Sequence, residues 1–305
     1  MQTQHIPGVN LVEQAGYFTV PGAHLYTVLH QTKDPVARVL LVGPFASERH
    51  NSYIPWVRWA RYLAERNIEV LRYDYRGIGE STGVFENMTI ENWNEDVQFL
   101  ADWLKSRSPS VPLILHGLDF GALLAGRTFH AGTGDALLLW APPANANQSL
   151  RSTLQRRVGL EQLFKIGDER KSVADCIRQL EQGSSFEVDG YQWSSRLWCN
   201  SFDFDLPSAM GNEDSAVLAY KRPVKIVRLG MQQTPVIKGG PEVSDEGKNF
   251  NRMSADLLKM SADNFKWHHS FKFWSEFRTY FSSLFADNFE WITVASAVPM
   301  GVSND

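Results

Sequence analysis

The 305-residue chain can hold one large α/β domain or two smaller ones, and 43% hydrophobic against 21% charged residues excludes global disorder. Its net charge of −4 excludes a strong basic field for nucleic acid or anionic lipid. Two cysteines without metal-ligand spacing, no signal-like N-terminus and no apolar run long enough for a bilayer lead us to expect a cytoplasmic protein with reduced thiols and no membrane span.

The chain opens with two alternating segments, Gly16–Pro21 and His24–His30, joined by Pro21-Gly22, which predicts a hairpin. Ala37–Gly43 is a continuous apolar run of the kind found in buried parallel strands. Ile54–Arg66 carries Trp56, Trp59, Ala60 and Leu63 at helical spacing. Ile68–Tyr73 reads as a strand and Asn92–Lys105 as a helix. Val111–Leu115, Gly121–His130 and Ala136–Trp140 then give strand, helix, strand, and Pro142-Pro143 ends the last one. This alternation predicts an α/β fold with a mostly parallel sheet flanked by helices.

The pattern changes over 145–222. Two polar helical segments, Ser149–Val158 and Val173–Gln182, are followed by a short hairpin at Phe186–Trp193. Alternation resumes at the apolar run Pro223–Gly230. The expected domains are therefore a core of 1–144 and 223–294 with a mainly helical cap inserted at 145–222. Residues 231–252 read as a long loop. The spacing of Phe273, Phe277, Tyr280 and Phe281 predicts a C-terminal helix packed on the sheet, with a loose tail after Val294.

Three motifs fall in order on these elements. Gly43-Pro44-Phe45-Ala46-Ser47 follows the first parallel strand. Asp74-Tyr75-Arg76-Gly77-Ile78-Gly79-Glu80-Ser81 follows the next. Gly117-Leu118-Asp119-Phe120-Gly121 joins a strand to a small-residue helix. Together they resemble the oxyanion loop, the D-x-R-G-x-G-x-S turn and the G-x-S-x-G elbow of the α/β-hydrolases, in the serine aminopeptidase-like branch. More narrowly, Pro44-Phe45-Ala46-Ser47-Glu48, Gly121–Ala125, Leu139–Pro142 and Phe186–Tyr191 are similar to strings in exosortase-associated hydrolase-like proteins.

The resemblance assigns candidate roles. Asp119 stands where the serine nucleophile would be, and three roles stay open for it: nucleophile, general base or ligand-binding carboxylate, and helix cap without chemistry. The N–H groups of Phe120 and of Phe45 or Ala46 would be the oxyanion donors. His269, with His268 beside it, lies where the base is expected. The G-x-x-D pattern that supplies the orienting acid reads Gly230-Met-Gln-Gln233, so Gln233 replaces the acid, with Asp245 or Glu246 as substitutes if the loop folds back. Ser47 is a surrogate nucleophile of low rank, while Asp74 and Arg76 serve the turn. His116 should point into sheet packing and His50 toward the pocket mouth. No dinucleotide, Walker or zinc-type spacing is present, so no cofactor or metal is implied. These residues suggest a hydrolase of a small acyl, ester-type or apolar substrate. The alternative is a catalytically inactive relative that binds a small molecule or partner in the retained pocket.

Overall fold

A computed structural model describes residues 2–6, 11–164, 171–210, 214, 220–227 and 270–297. Ten strands and seven helices are considered. An antiparallel start comprises β1 (Gln2–Ile6), β2 (Leu11–Val20) and β3 (Ala23–Gln31). Then come β4 (Ala37–Val42), α1 (Glu48–Ala64), β5 (Ile68–Tyr73), α2 (Ile90–Arg107), β6 (Leu113–Leu118), α3 (Phe120–His130) and β7 (Ala136–Trp140). Between β7 and the next sheet strand lie α4 (Ala146–Phe164), α5 (Val173–Glu181), the hairpin β8 (Phe186–Val188) and β9 (Tyr191–Trp193), and α6 (Ser195–Asn200). The sheet closes with β10 (Val224–Val227), and α7 (Ser270–Ala297) follows.

The eight-stranded sheet has the order β1-β2-β3-β5-β4-β6-β7-β10. Pairing is antiparallel from β1 to β5 and parallel from β5 through β10. Alternate side chains of the parallel strands feed two cores. Leu40, Val42, Leu113, Leu115, Leu137 and Leu139 pack with α2, α3 and the α4–α6 segment. Val39, Leu41, Val70, Ile114, Leu138 and Trp140 pack with α1 and α7. Burial on both faces explains why these strands read as unbroken apolar runs. From β4 the chain moves to one side through α1, then crosses back through α2 to β6 on the other side. That reversal sets the carboxyl ends of β4 and β6 at the switch point where such sheets bind ligands.

Several boundaries differ from expectation. The polar strand β1 pairs with β2 at the sheet edge, with Gln2, Thr3 and Gln4 exposed, so its sequence carries no apolar alternation. Helix α1 starts at Glu48 rather than Ile54, because the polar residues 48–53 form its first turns. Helix α7 runs past Val294, and its described buried face is Leu284, Phe285, Asn288, Ile292 and Ala295. The side chains of Phe273, Phe277, Tyr280 and Phe281 lie outside the described residues.

Candidate functional site

The elbow is a tight turn from β6 into α3. Asp119 holds φ 51 and ψ −124, a region that costs a non-glycine residue on the order of 1–3 kcal/mol. Two glycines make the turn possible. A Cβ on Gly117 would overlap Ala122, and one on Gly121 would overlap the carbonyl oxygens of Val42 and Gly43. Helix α3 is therefore seated directly on the end of β4.

The Asp119 carboxylate makes no N-cap hydrogen bond into the first turn of α3, although the Phe120 N–H favours its charged form. Instead the hydroxyl of Ser149, on α4, donates to Oδ2 at 2.7 Å. By surface area Asp119 is half-buried, yet protein surrounds its carboxyl group closely. Burial pushes its pKa up to about 6, the nearby Glu48 charge adds to the rise, and the Ser149 hydroxyl and Phe120 N–H oppose it. Ala141 and Pro142, just after the neighbouring strand β7, are also half-buried. Asp119 N–H donates to Trp140 O, and Ala141 N–H to Val227 O.

Helix α4 presents a polar seam beside its buried face of Leu150, Leu154 and Val158. Ser149 meets Asp119, Thr153 donates to Glu48 Oε1 at 3.2 Å, and Arg156 Nη2 reaches the same oxygen at 2.8 Å. Arg156 also donates to Ser47 Oγ at 3.2 Å and to Asp189 Oδ2, in the turn between β8 and β9, at 3.0 Å. The polar helical pattern of this segment does not by itself reveal the seam. Ser149, Thr153 and Arg156 recur at 4 and 3 residues, the spacing of one helical face, and that was the available signal.

The rings of Phe45 and Phe120 lie in the interior. Phe45 is 1% exposed, and its ring centroid lies 5.2 Å from Phe120, 5.6 Å from Trp93 and 5.4 Å from Trp193. Phe120 is fully buried. Their side chains thus form an interior aromatic block, because large rings gain most by packing on one another. What these residues offer the switch point is backbone. Ala46 turns there with φ 39, while the Phe45 and Ala46 carbonyls accept from Glu48 and Arg49 N–H at the start of α1.

His116 lies in the core as expected. Its Nδ1 is 3.0 Å from Leu138 O, and its ring sits among Trp56, Trp59 and Trp140. His50 is exposed on α1. Asp74 accepts from Arg49 at 2.7 Å, and Arg76 pairs with Asp96, so both serve the turn. Gln233, Asp245, Glu246, His268 and His269 lie outside the described residues. Among the described residues no cluster of His, Cys, Asp and Glu could hold a metal ion, and no helix is long and apolar enough to cross a membrane.

Residues 50–166, from α1 to α4 with the elbow inside, match the family model described as serine aminopeptidase, S33. No curated protein matches the chain. Among solved structures it is similar to an α-β serine hydrolase homologue from Coxiella burnetii, with 20% identity and a TM-score of 0.38, covering 43% of this chain and 64% of that one. A serine hydrolase without a lid from Xanthomonas campestris gives 25% identity and a TM-score of 0.38 over 46% and 64%. Est1E from Butyrivibrio proteoclasticus, with ferulic acid bound, gives 20% identity and a TM-score of 0.48 over 71% and 78%. The chain spans just under two thirds of the first two of these proteins. The sheet order, the strand-turn-helix elbow and the family match over it identify the chain as carrying the α/β-hydrolase fold.

Proposed function

We propose that the chain is a hydrolase of a small acyl, ester-type or apolar substrate, and that Asp119 is its nucleophile. The observation that carries this reading is the placement of Asp119. It occupies the strained elbow position, its carboxylate is held by Ser149 rather than spent on capping α3, and its pKa lies near 6. Above that pH the group is ionised and can attack an electrophilic carbon. On a haloalkane or epoxide it forms an ester on one Oδ as the C–halogen bond breaks with its electron pair or the ring C–O bond opens, and on an acyl or ester substrate it forms a mixed anhydride as the alkoxide leaves. Water then adds to the Asp119 carbonyl, the alcohol or acid product leaves, and one solvent oxygen remains in the Asp119 carboxyl. The Phe120 N–H, with Phe45 or Ala46 N–H, would receive the charge of the tetrahedral intermediate. His269, or His268 beside it, would activate the water, and Gln233 would orient the imidazole by a neutral hydrogen bond.

Residues 145–222 act in this reading as a cap on a core of 1–144 and 223–294. Ser149 on Asp119 and Trp193 against Phe45 support that division. The strings shared with exosortase-associated hydrolase-like proteins favour that cellular setting, and the two free thiols, Cys176 and Cys199, fit a reducing cytoplasm.

The test is turnover of ester, epoxide and haloalkane panels in heavy-oxygen water, followed by mass analysis of the peptide carrying Asp119. Label in Asp119 is the expected result, with activity lost in Asp119→Asn. Turnover without label would make Asp119 a general base. No turnover on any panel would overturn the hydrolase reading in favour of a pocket that only binds.

A further inference from the structure

A buried charged relay lies where α1 crosses the antiparallel strands, away from the elbow. Glu13 and His30 face each other across β2 and β3, with His30 Nδ1 3.1 Å from Glu13 Oε1. Arg61 of α1 donates to both Glu13 oxygens, at 2.6 and 3.1 Å. On the other side Arg72 of β5 donates from Nε to His30 Nε2 at 3.1 Å. His30 is fully buried and Glu13 nearly so.

The geometry fixes the protons. A guanidinium does not deprotonate, so His30 Nε2 must accept, and the imidazole proton sits on Nδ1, 3.1 Å from Glu13 Oε1. Burial and the Arg72 charge hold the ring neutral. The relay therefore contains two guanidinium charges and one carboxylate charge. Arg61 already satisfies Glu13, so the surplus positive charge rests on Arg72. Among the described residues Arg72 has no carboxylate partner. Its charge otherwise meets only the face of the Tyr53 ring, 5.7 Å away. Arg72 borders a hollow of about 470 Å³ that Gln2, Gln4, Glu13, Tyr26 and Val28 also line, with the Glu13 carboxylate already engaged by Arg61. That volume suits a small molecule.

We infer that this hollow binds a small organic carboxylate bearing hydroxyl groups, its carboxylate seated on the Nη groups of Arg72 and its hydroxyls against Gln2, Gln4 and Tyr26. The planar fork of Arg matches two carboxylate oxygens, and one negative charge cancels the surplus. A phosphate dianion would overshoot that charge beside Glu13. The relay holds Arg72 in place before the ligand arrives, which lowers the ordering cost of binding.

The test is calorimetric titration of the full chain at pH 7.5 with gluconate, lactate and inorganic phosphate, with glycerol as the uncharged control. Gluconate or lactate should bind saturably and more tightly than phosphate, and glycerol should not bind. Arg72→Gln should weaken carboxylate binding at least about tenfold, while Asp119→Asn should leave it unchanged. Arg72→Lys, which keeps the charge but not the fork, should weaken it less and serves as the decisive variant if Arg72→Gln fails to fold. The inference is overturned if neither carboxylate binds saturably, if phosphate binds more tightly, or if the folded Arg72 variant binds like the parent chain. Because the readout is binding at the sheet edge, it is decided independently of turnover at Asp119.

Discussion

Asp119 carries a stability cost that an ordinary surface aspartate does not. Its folded pKa of about 6 lies above the usual 3.8, so the native state holds the proton more tightly than the unfolded chain. Stability therefore falls as pH rises from about 4 to 6, and the whole penalty is present above 6. Asp119→Asn removes the titration. It should be more stable than the parent at pH 7.5 by up to about 3 kcal/mol, the difference closing toward pH 4 in urea denaturation. Equal stability at both pH values would mean that the carboxylate is as well solvated folded as unfolded. Ser149→Ala acts in the opposite sense on chemistry. Removing the donor that favours the ionised form should move the acid limb of the rate–pH profile upward, by up to about one pH unit. Ser149→Thr keeps the hydroxyl and should keep the limb. Neither effect was legible beforehand, because Ser149 and Asp119 are 30 residues apart and no periodicity links them.

At the scale of elements, the elbow and α4 answer different questions. Gly121 has no room for a Cβ against the backbone of Val42 and Gly43, and backbone cannot swing aside as a side chain can. Gly121→Ala should destabilise by about 3 kcal/mol or more, read from the shift in thermal midpoint. A shift near zero would show that α3 slides away at little cost. Helix α4 is tied down by the half-buried Arg156, which bridges Glu48 of α1 and Asp189 of the β8–β9 turn. Arg156→Met keeps the aliphatic stem and removes the guanidinium that joins two partly buried carboxylates, leaving Glu48 with Thr153 and Asp189 with Arg157. It should cost about 1–3 kcal/mol and speed amide exchange in 146–158 and 186–193, while leaving the strands protected. Uniform protection in the variant would remove Arg156 as the tie. The α3 side of this picture was readable in the sequence, because Gly-x-Asp-x-Gly at a strand-to-helix junction states a backbone requirement. The α4 side was not, since its contacts span more than a hundred residues and depend on tertiary placement. Phe45 and Phe120 show the converse. Their motif positions beside β4 and the elbow were readable in the sequence, but packing turned both rings inward.

For the whole molecule, two buried histidines decide how it meets acid. His116 is enclosed by Trp56, Trp59 and Trp140, and burial lowers its pKa to about 3. His30 is lowered by burial as well, against the pull of Glu13. Each unfolded imidazole takes up a proton near pH 6.5 that the native state refuses, so stability is lost as pH falls below about 6.5. Glu13, held below the usual carboxylate range by its hydrogen bond to His30, adds to the loss below about 4.5. Asp119 runs the other way but is a single group. A histidine that stays neutral gives up about 2 kcal/mol by pH 5. For His116 that loss is a sizeable part of the 5–15 kcal/mol that ordinarily holds a domain, and His30 adds to it in the same direction. The expected result is a net fall in the urea midpoint between pH 7 and 5. In His116→Asn the midpoint should start lower at pH 7.5, because packing is lost, yet fall less steeply, so the two curves converge toward pH 5. Parallel curves would mean that His116 becomes protonated without unfolding the sheet. The same window contains the acid limb expected from Asp119, so circular dichroism at each pH must accompany the rate profile. A limb that precedes the loss of ellipticity belongs to the Asp119 carboxylate. One that coincides with it, and shifts in His116→Asn, belongs to the fold.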